Sequence, residues 1–277
     1  MTKESGYRNF LIHDIILPLS VYVFGILIFI IFLIVNIDAW KIIGIINNGR
    51  YDLSSLEGKF PYVIVNILAF IVMMVACYFI VRKCNKQKEF HSNGAGYLNW
   101  PFLILTVVGR FLGYESIDTV NVPIWLQFKI YKSPWWQTKG LDRVNIECDT
   151  DEIICNFKRV KHSDGIVNVI LVDTYDVKVP VSILKKHDTL MVKRKTVNQG
   201  NRTFNKTFVG KSITEINRLY KLQYNSMNLF CSTNPFHTKE IVKGTFRMDG
   251  REHHMAVTVF QSVGEKHIYS EAHQVIK

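Results

Sequence analysis

Apolar and polar residues alternate along this chain in three regimes. Ile15 to Ile37 and Tyr62 to Val81 are apolar runs without a charged residue. A helix rises about 1.5 Å per residue, so about 20 such residues cross a hydrocarbon core about 30 Å thick. The first run has no face suited to water, whereas a core helix of a soluble domain keeps a polar stripe. Both runs therefore predict membrane spans, paired as a helical hairpin within residues 1–90. A third apolar stretch, Trp100 to Leu112, is too short to span. Trp100 and Tyr114 bracket it and Arg110 can snorkel, so a segment at the membrane surface is expected inside a 91–116 linker that opens on the turn-rich His91–Gly96.

From Val120 onward the period changes to two. Val120, Val122, Ile124, Leu126, Phe128 and Ile130 alternate with more polar neighbours, which predicts a strand, and Pro123 places it at a sheet edge. Further strands are predicted at Arg143–Cys148, Glu152–Val160, Ile166–Val172, Val177–Ile183 and Thr189–Val197, with turn residues between them. Ile213, Ile216, Leu219, Tyr220, Tyr224 and Met227 recur at helical spacing behind a capping box, Ser212–Glu215. Strands at Lys239–Met248 and His254–Phe260, joined by Asp249–Gly250, and a last one at His267–Ile276 complete the pattern. The expected fold is membrane α+β: a two-span hairpin, then an antiparallel β-rich domain over 117–277, a small barrel or sandwich with one helix.

Charge adds an orientation and a class of partner. The chain of 277 residues carries a net +11, and between Lys158 and Lys211 it has 12 Lys or Arg against 4 Asp, a surplus of 8. Arg82, Lys83, Lys86 and Lys88 crowd directly behind the second span, so both termini are expected to be cytoplasmic, in a plasma or inner membrane. The five cysteines form no CxxC pair and predict free thiols, with no metal site or cofactor. A basic domain at a membrane favours anionic partners, either lipid headgroups of the bilayer or a nucleotide. Lys185, Lys186, Lys193, Arg194 and Lys195 are the densest clusters and the expected ligand-binding residues, with Trp135, Trp136 and Tyr175 available to stack a base.

Other motifs carry less. Val209-Gly210-Lys211-Ser212 ends like a phosphate loop, but Asn205 stands where its first glycine belongs. Asp249, Glu252, His253, His254 and His267 gather acids and imidazoles, yet neighbours on a strand point to opposite faces. Asn201-Arg202-Thr203 and Asn205-Lys206-Thr207 match the glycosylation sequon and are silent in a cytoplasmic domain.

The reading these observations favour is a non-enzymatic membrane-anchored module. Its basic domain would bind an anionic ligand or partner protein and couple it to the packing or oligomeric state of the hairpin. Two alternatives belong to other classes. One is a structural subunit of a bacterial secretion or DNA-transfer complex, with Ser20, Gly25 and Asn66 contacting homo-oligomer or membrane-complex partners. The other is a membrane-bound hydrolase using Asp249, Glu252 and His254. In architecture the chain resembles bacterial two-span proteins with a β-rich sensor domain, such as the membrane effectors of cyclic-nucleotide antiphage defence, and also anchored bacterial PH-type domains. No motif selects between them.

Overall fold

The computed structural model describes residues 3–35, 56–92, 96–138, 151–160, 164–197, 204–222, 224–247, 255–263 and 268–277. They fall into two compact units, Met1–Gly96 with Leu103–Asp118, and Tyr97–Phe102 with Thr119–Lys277.

The first unit is built on two long apolar helices. The first begins as α1 (Lys3–Phe10), widens into a π-helical turn at Leu11–Ile16, and continues as α2 (Leu17–Ile34). Pro18 has no N–H to offer the carbonyl of Asp14 four residues back, which accounts for a local change of helical register there. The second helix is α3 (Leu56–Asn85). The stretches Gly6–Ile34 and Val63–Asn85 are long and apolar enough to cross a bilayer. They are also apolar outward: Phe24, Ile31 and Val72 are 66, 56 and 67% exposed, which suits lipid and not water. Where the helices meet, Tyr22 packs with Cys77 and Val81. At Gly25 a methyl group would fall 2.7 Å from Cys77 Sγ, so a residue without a side chain permits the close approach.

Behind the hairpin, β1 (Glu89–Phe90) pairs in parallel with β2 (Ser116–Ile117), and α4 (Phe102–Phe111) lies between them in the chain. Tyr22 Oη donates to the Phe111 carbonyl at 3.0 Å, and Asn85 Nδ2 donates to that of Leu112 at 2.9 Å. Asp14, buried in the π-helical turn, accepts from the His91 amide at 3.2 Å and from Tyr114 Oη at 3.3 Å. These bonds satisfy a carboxylate that would otherwise be costly on an apolar helix.

The second unit is an open, mostly parallel sheet. After α5 (Ile124–Lys132), its elements run β3 (Ile153–Lys158), β4 (Ile166–Val172), α6 (Val181–Lys186), β5 (Asp188–Arg194), α7 (Lys206–Tyr220), β6 (Ser226–Cys231), α8 (Pro235–Thr245), β7 (Ala256–Val263) and β8 (Ile268–Ile276). The strands lie in the order β3-β5-β4-β6-β7-β8. The four central ones are parallel, and both edges are antiparallel. Register puts Val169 beside Leu190 and Leu229, and Leu229 beside Val259, all on one buried face. On the other face Ile170, Met191, Phe230 and Phe260 form a row, packed with Tyr269, Tyr175 and the Ile183 and Leu184 side chains of α6. Helix α8 packs against α5 and α7, of which α5 packs onto β7 and β8 and α7 onto β3 and β5. This is a doubly wound arrangement, in which strand, crossover and parallel strand succeed one another.

The two-span hairpin and the strand-rich second part are therefore present. The antiparallel barrel or sandwich with one helix is replaced by an open mixed sheet with, among the described residues, four helices around it. The strand expected across Val120–Ile130 is helix α5: Pro123 begins it, and its carbonyl accepts from the Leu126 and Gln127 amides. Both alternating sets of residues end up buried, so no polar stripe marks the helix. The strand expected at Lys239–Met248 is α8, started by Asn234 as cap and Pro235 as first helical residue. Val177–Ile183 becomes an extended passage that turns helical after Pro180. The helix expected to start at Ser212 starts six residues earlier, where the Asn205 side chain accepts from the Phe208 amide at 2.7 Å, and Met227 belongs to β6. Gly210-Lys211-Ser212 thus lies inside α7, with no loop to cradle a phosphate. Asn205 is fully buried, so the second sequon offers no acceptor. Arg143–Cys148, Asn201–Thr203, Asp249, Glu252, His253, His254 and His267 lie outside the described residues.

Candidate functional site

In an open doubly wound sheet, the crevice for a ligand forms where successive connections leave to opposite sides, beyond the carboxyl ends of the strands. Here β4 leads through α6 to β5 on one side, while its neighbour β6 leads through α8 to β7 on the other. The switch point lies between the ends of β4 and β6. A cavity of about 630 Å³ opens there, in the size range of small-molecule sites.

Its lining combines three sources. The strand ends give Thr174, Tyr175, Cys231, Thr233 and Asn234, and the start of α8 gives Pro235 and Phe236. The approach to α5 gives Asn121, Val122, Pro123, Ile124 and Gln127, and Tyr97, Gln261 and Tyr269 close the remaining sides. The two strand ends are laced together. The Asp173 amide donates to Ser232 Oγ at 3.1 Å, the Thr174 amide donates to the Ser232 carbonyl at 3.1 Å, and Ser232 returns its own amide to Leu171 at 2.9 Å. At the mouth of α8, Asn234 accepts from the His237 amide at 2.9 Å. Tyr131 Oη donates to the Pro235 carbonyl at 2.9 Å, which ties α5 to α8.

No Lys, Arg, Asp, Glu or His is among the described lining residues. Burial pushes the Tyr97 and Tyr269 phenols above their ordinary range, so both stay protonated donors. Tyr269 Oη donates to the Cys231 carbonyl at 2.7 Å. Gln127 spends Nε2 on the Val122 and Thr119 carbonyls at 2.8 and 3.3 Å, leaving buried Oε1 without a donor among the described residues. Neutral amides, hydroxyls and rings suit a flat heteroaromatic group better than a bare anion.

Directly beneath the floor lies a buried ionic network. Arg194 donates from Nη1 to Asp173 and from Nε to Asp151, each at 3.0 Å. The other Asp173 oxygen accepts from the Asn234 amide at 3.1 Å and faces His237 Nδ1 at 2.6 Å. His237 Nε2 accepts the Asn205 amide at 2.8 Å, so the proton sits on Nδ1 and both ring nitrogens are occupied. That leaves the imidazole no free position for acid–base chemistry. Burial alone would raise the Asp173 carboxyl, but the hydrogen bonds from His237, the Asn234 amide and the Arg194 guanidinium hold it below the ordinary carboxylate range.

The chain matches the model of the SMODS- and ubiquitin system-associated 2TM effector domain over residues 3–276. It belongs to that family. No curated protein matches it. Among solved structures, the Acinetobacter baumannii Cap4 SAVED/CARF-domain containing receptor with the cyclic trinucleotide 3'3'3'-cAAA overlaps it at 10% identity and a TM-score of 0.41. That overlap covers 64% of this chain and 43% of the receptor, so the chain spans less than half of it.

As a 2TM effector, the protein is a membrane protein with two transmembrane helices. Its expected ligand residues are not gathered into one site. Lys185 and Lys186 stand exposed at the end of α6, before β5. Lys193 pairs with Asp176 at 2.7 Å, Lys195 pairs with Glu152 at 2.8 Å, and Arg194 is buried under the cavity floor. Lys193 and Arg194 do end β5 at the same end of the sheet as the cavity. Tyr175 lines the cavity, Trp136 is buried, and Trp135 is exposed elsewhere. Thr174, Thr233, Asn234, Gln127 and Tyr269 escaped sequence reasoning. The one local signal was Asn234–Pro235, a helix start directly behind an apolar segment.

Proposed function

We propose that this 2TM effector binds a nucleotide-type ligand in the cavity at the β4–β6 switch point and passes that event to the transmembrane hairpin. The observation that carries the reading is the cavity itself: a neutral, aromatic- and amide-lined crevice at the position where doubly wound sheets take nucleotides. The base would lie against Phe236 and Tyr97 with its edge toward Gln127 and Gln261. Lys185 and Lys186, exposed at the end of α6, supply a positive field that draws an anionic ligand to this domain, to which Lys193, Arg194 and Lys195 add little because each is paired with a carboxylate. The termini are cytoplasmic on this reading, because Arg82, Lys83, Lys86 and Lys88 follow the second span.

The test uses the full chain in detergent or nanodiscs, with its melting followed over nucleotides, cyclic dinucleotides and trinucleotides, and single-stranded nucleic acid. A ligand at a hundred times its Kd should stabilise by about 2.7 kcal/mol, or roughly 5–10 °C for a domain of this size. Phe236→Ala and Tyr97→Ala remove partly exposed rings and should weaken that ligand about 5-fold or more, since base stacking is worth about 1–3 kcal/mol. A library without effect on melting, or a ligand indifferent to both substitutions, overturns the proposal.

A further inference from the structure

A second concavity in the same unit has the opposite chemistry. It is a shallow cleft of about 380 Å³ at the carboxyl end of α5, lined by Phe102, Lys129, Lys132, Pro134, Trp135 and Val275, with Ser133 at its base. Two lysines line it and no carboxylate is among its described lining residues. Lys129 lies 5.3 Å from the centre of the Trp125 ring, which itself stacks on His273 at 4.4 Å. Neither lysine has an ion pair among the described residues.

Trp135 is 59% exposed although its neighbour Trp136 is buried. Their turn is held: the Trp135 amide donates to Ser133 Oγ at 3.1 Å. An anchored tryptophan thus presents one indole outward beside two lysines that have no ion pair among the described residues, and an apolar wall. Amphipathic rings and snorkelling lysines in that combination belong at the level of lipid headgroups.

We infer that this cleft docks the second unit onto anionic lipid headgroups of the membrane that the chain spans. Lys129 and Lys132 meet the phosphate, and Trp135 enters the interface beside it. The occupant follows from charge complementarity and from the tether. Phe102 is 17 residues beyond Asn85, the end of the second span (102 − 85), so even fully extended it stays within about 60 Å of that end. Tethering makes the contact effectively intramolecular, so a weak patch suffices.

The experiment places the full chain in nanodiscs of phosphatidylcholine alone or mixed with phosphatidylglycerol, with brominated acyl chains as quencher. The Trp135 signal is the difference between the wild-type protein and W135F. At least half of that signal should be quenched in the anionic discs, and K129Q/K132Q or high salt should bring quenching back to the phosphatidylcholine level. Equal quenching in both lipids, or quenching insensitive to salt and to K129Q/K132Q, overturns the inference. The salt series on the wild-type and W135F proteins decides the matter even where K129Q/K132Q folds poorly.

Discussion

Asp173→Ala is expected to destabilise the second unit by about 3–5 kcal/mol, the usual cost of removing one partner from a buried ion pair. Its carboxylate is fully buried and receives Arg194, the Asn234 amide and His237 at once. Removing it takes one carboxylate from a guanidinium whose side chain is only 4% exposed, and takes from the Asn234 amide and His237 the oxygen they share. For a domain of this size the loss corresponds to a fall in Tm of roughly 10 °C, measurable by thermal or urea unfolding in detergent. A second substitution separates the lost acceptor from general damage. Asp173→Asn keeps the shape of the side chain and one acceptor oxygen while removing the charge, so it should retain part of the stability that Asp173→Ala loses. An Asp173→Asn variant as unstable as Asp173→Ala would show that the retained acceptor is not what matters.

Acid gives the same network a second signature. The Asp173 and Asp151 carboxyls are both held below the ordinary range, despite burial that would raise them. A carboxyl depressed in the folded state stabilises fully above its unfolded value near 3.9, and that contribution disappears as pH falls through the folded value. The stability gap between wild type and Asp173→Asn should therefore be constant from about pH 7 down to pH 5 and narrow below about pH 4.

What could be read from residue order depended on how each element is buried. Ile166–Val172 was delimited to the residue because an apolar strand between turns has few alternatives. The two spans were legible because nothing but hydrocarbon accommodates their continuous apolarity. Helix α5 was not, since Trp125, Leu126, Gln127, Phe128, Ile130 and Tyr131 are all buried and a helix covered on most sides loses its 3.6-residue stripe. Misreading α5, α6 and α8 removed the crossovers, and without crossovers the central strands look antiparallel. The cavity was lost with them. Thr174 and Thr233 are unremarkable loop residues until strand order makes β4 and β6 neighbours. The lysine clusters drew attention because charge density is visible in one dimension, whereas a neutral crevice is a property of topology.

Gly113→Ala should detach the segment behind α4 from the second transmembrane helix. Gly113 has φ of +78°, where an L side chain is strained by roughly 1–2 kcal/mol. Space adds to the strain. A methyl group there would lie 2.5 Å from Arg82 Cα and 2.9 Å from Arg82 N, backbone atoms of α3 that cannot turn aside as a side chain would. Relief requires the segment to move as a whole, and three neighbouring contacts depend on its position: Asn85 to the Leu112 carbonyl, Arg82 to Glu115 at 3.0 Å, and Tyr22 to the Phe111 carbonyl. The last also aligns the Tyr22 ring over Phe111 at 4.7 Å. Hydrogen exchange in nanodiscs reads the result directly. The Leu112, Gly113 and Tyr114 amides, bonded to Val108, Arg110 and Gly109, should lose protection at least tenfold while those in the α2 and α3 spans keep theirs. Unchanged protection would mean that the backbone contact at Arg82 is not what seats this segment on the hairpin.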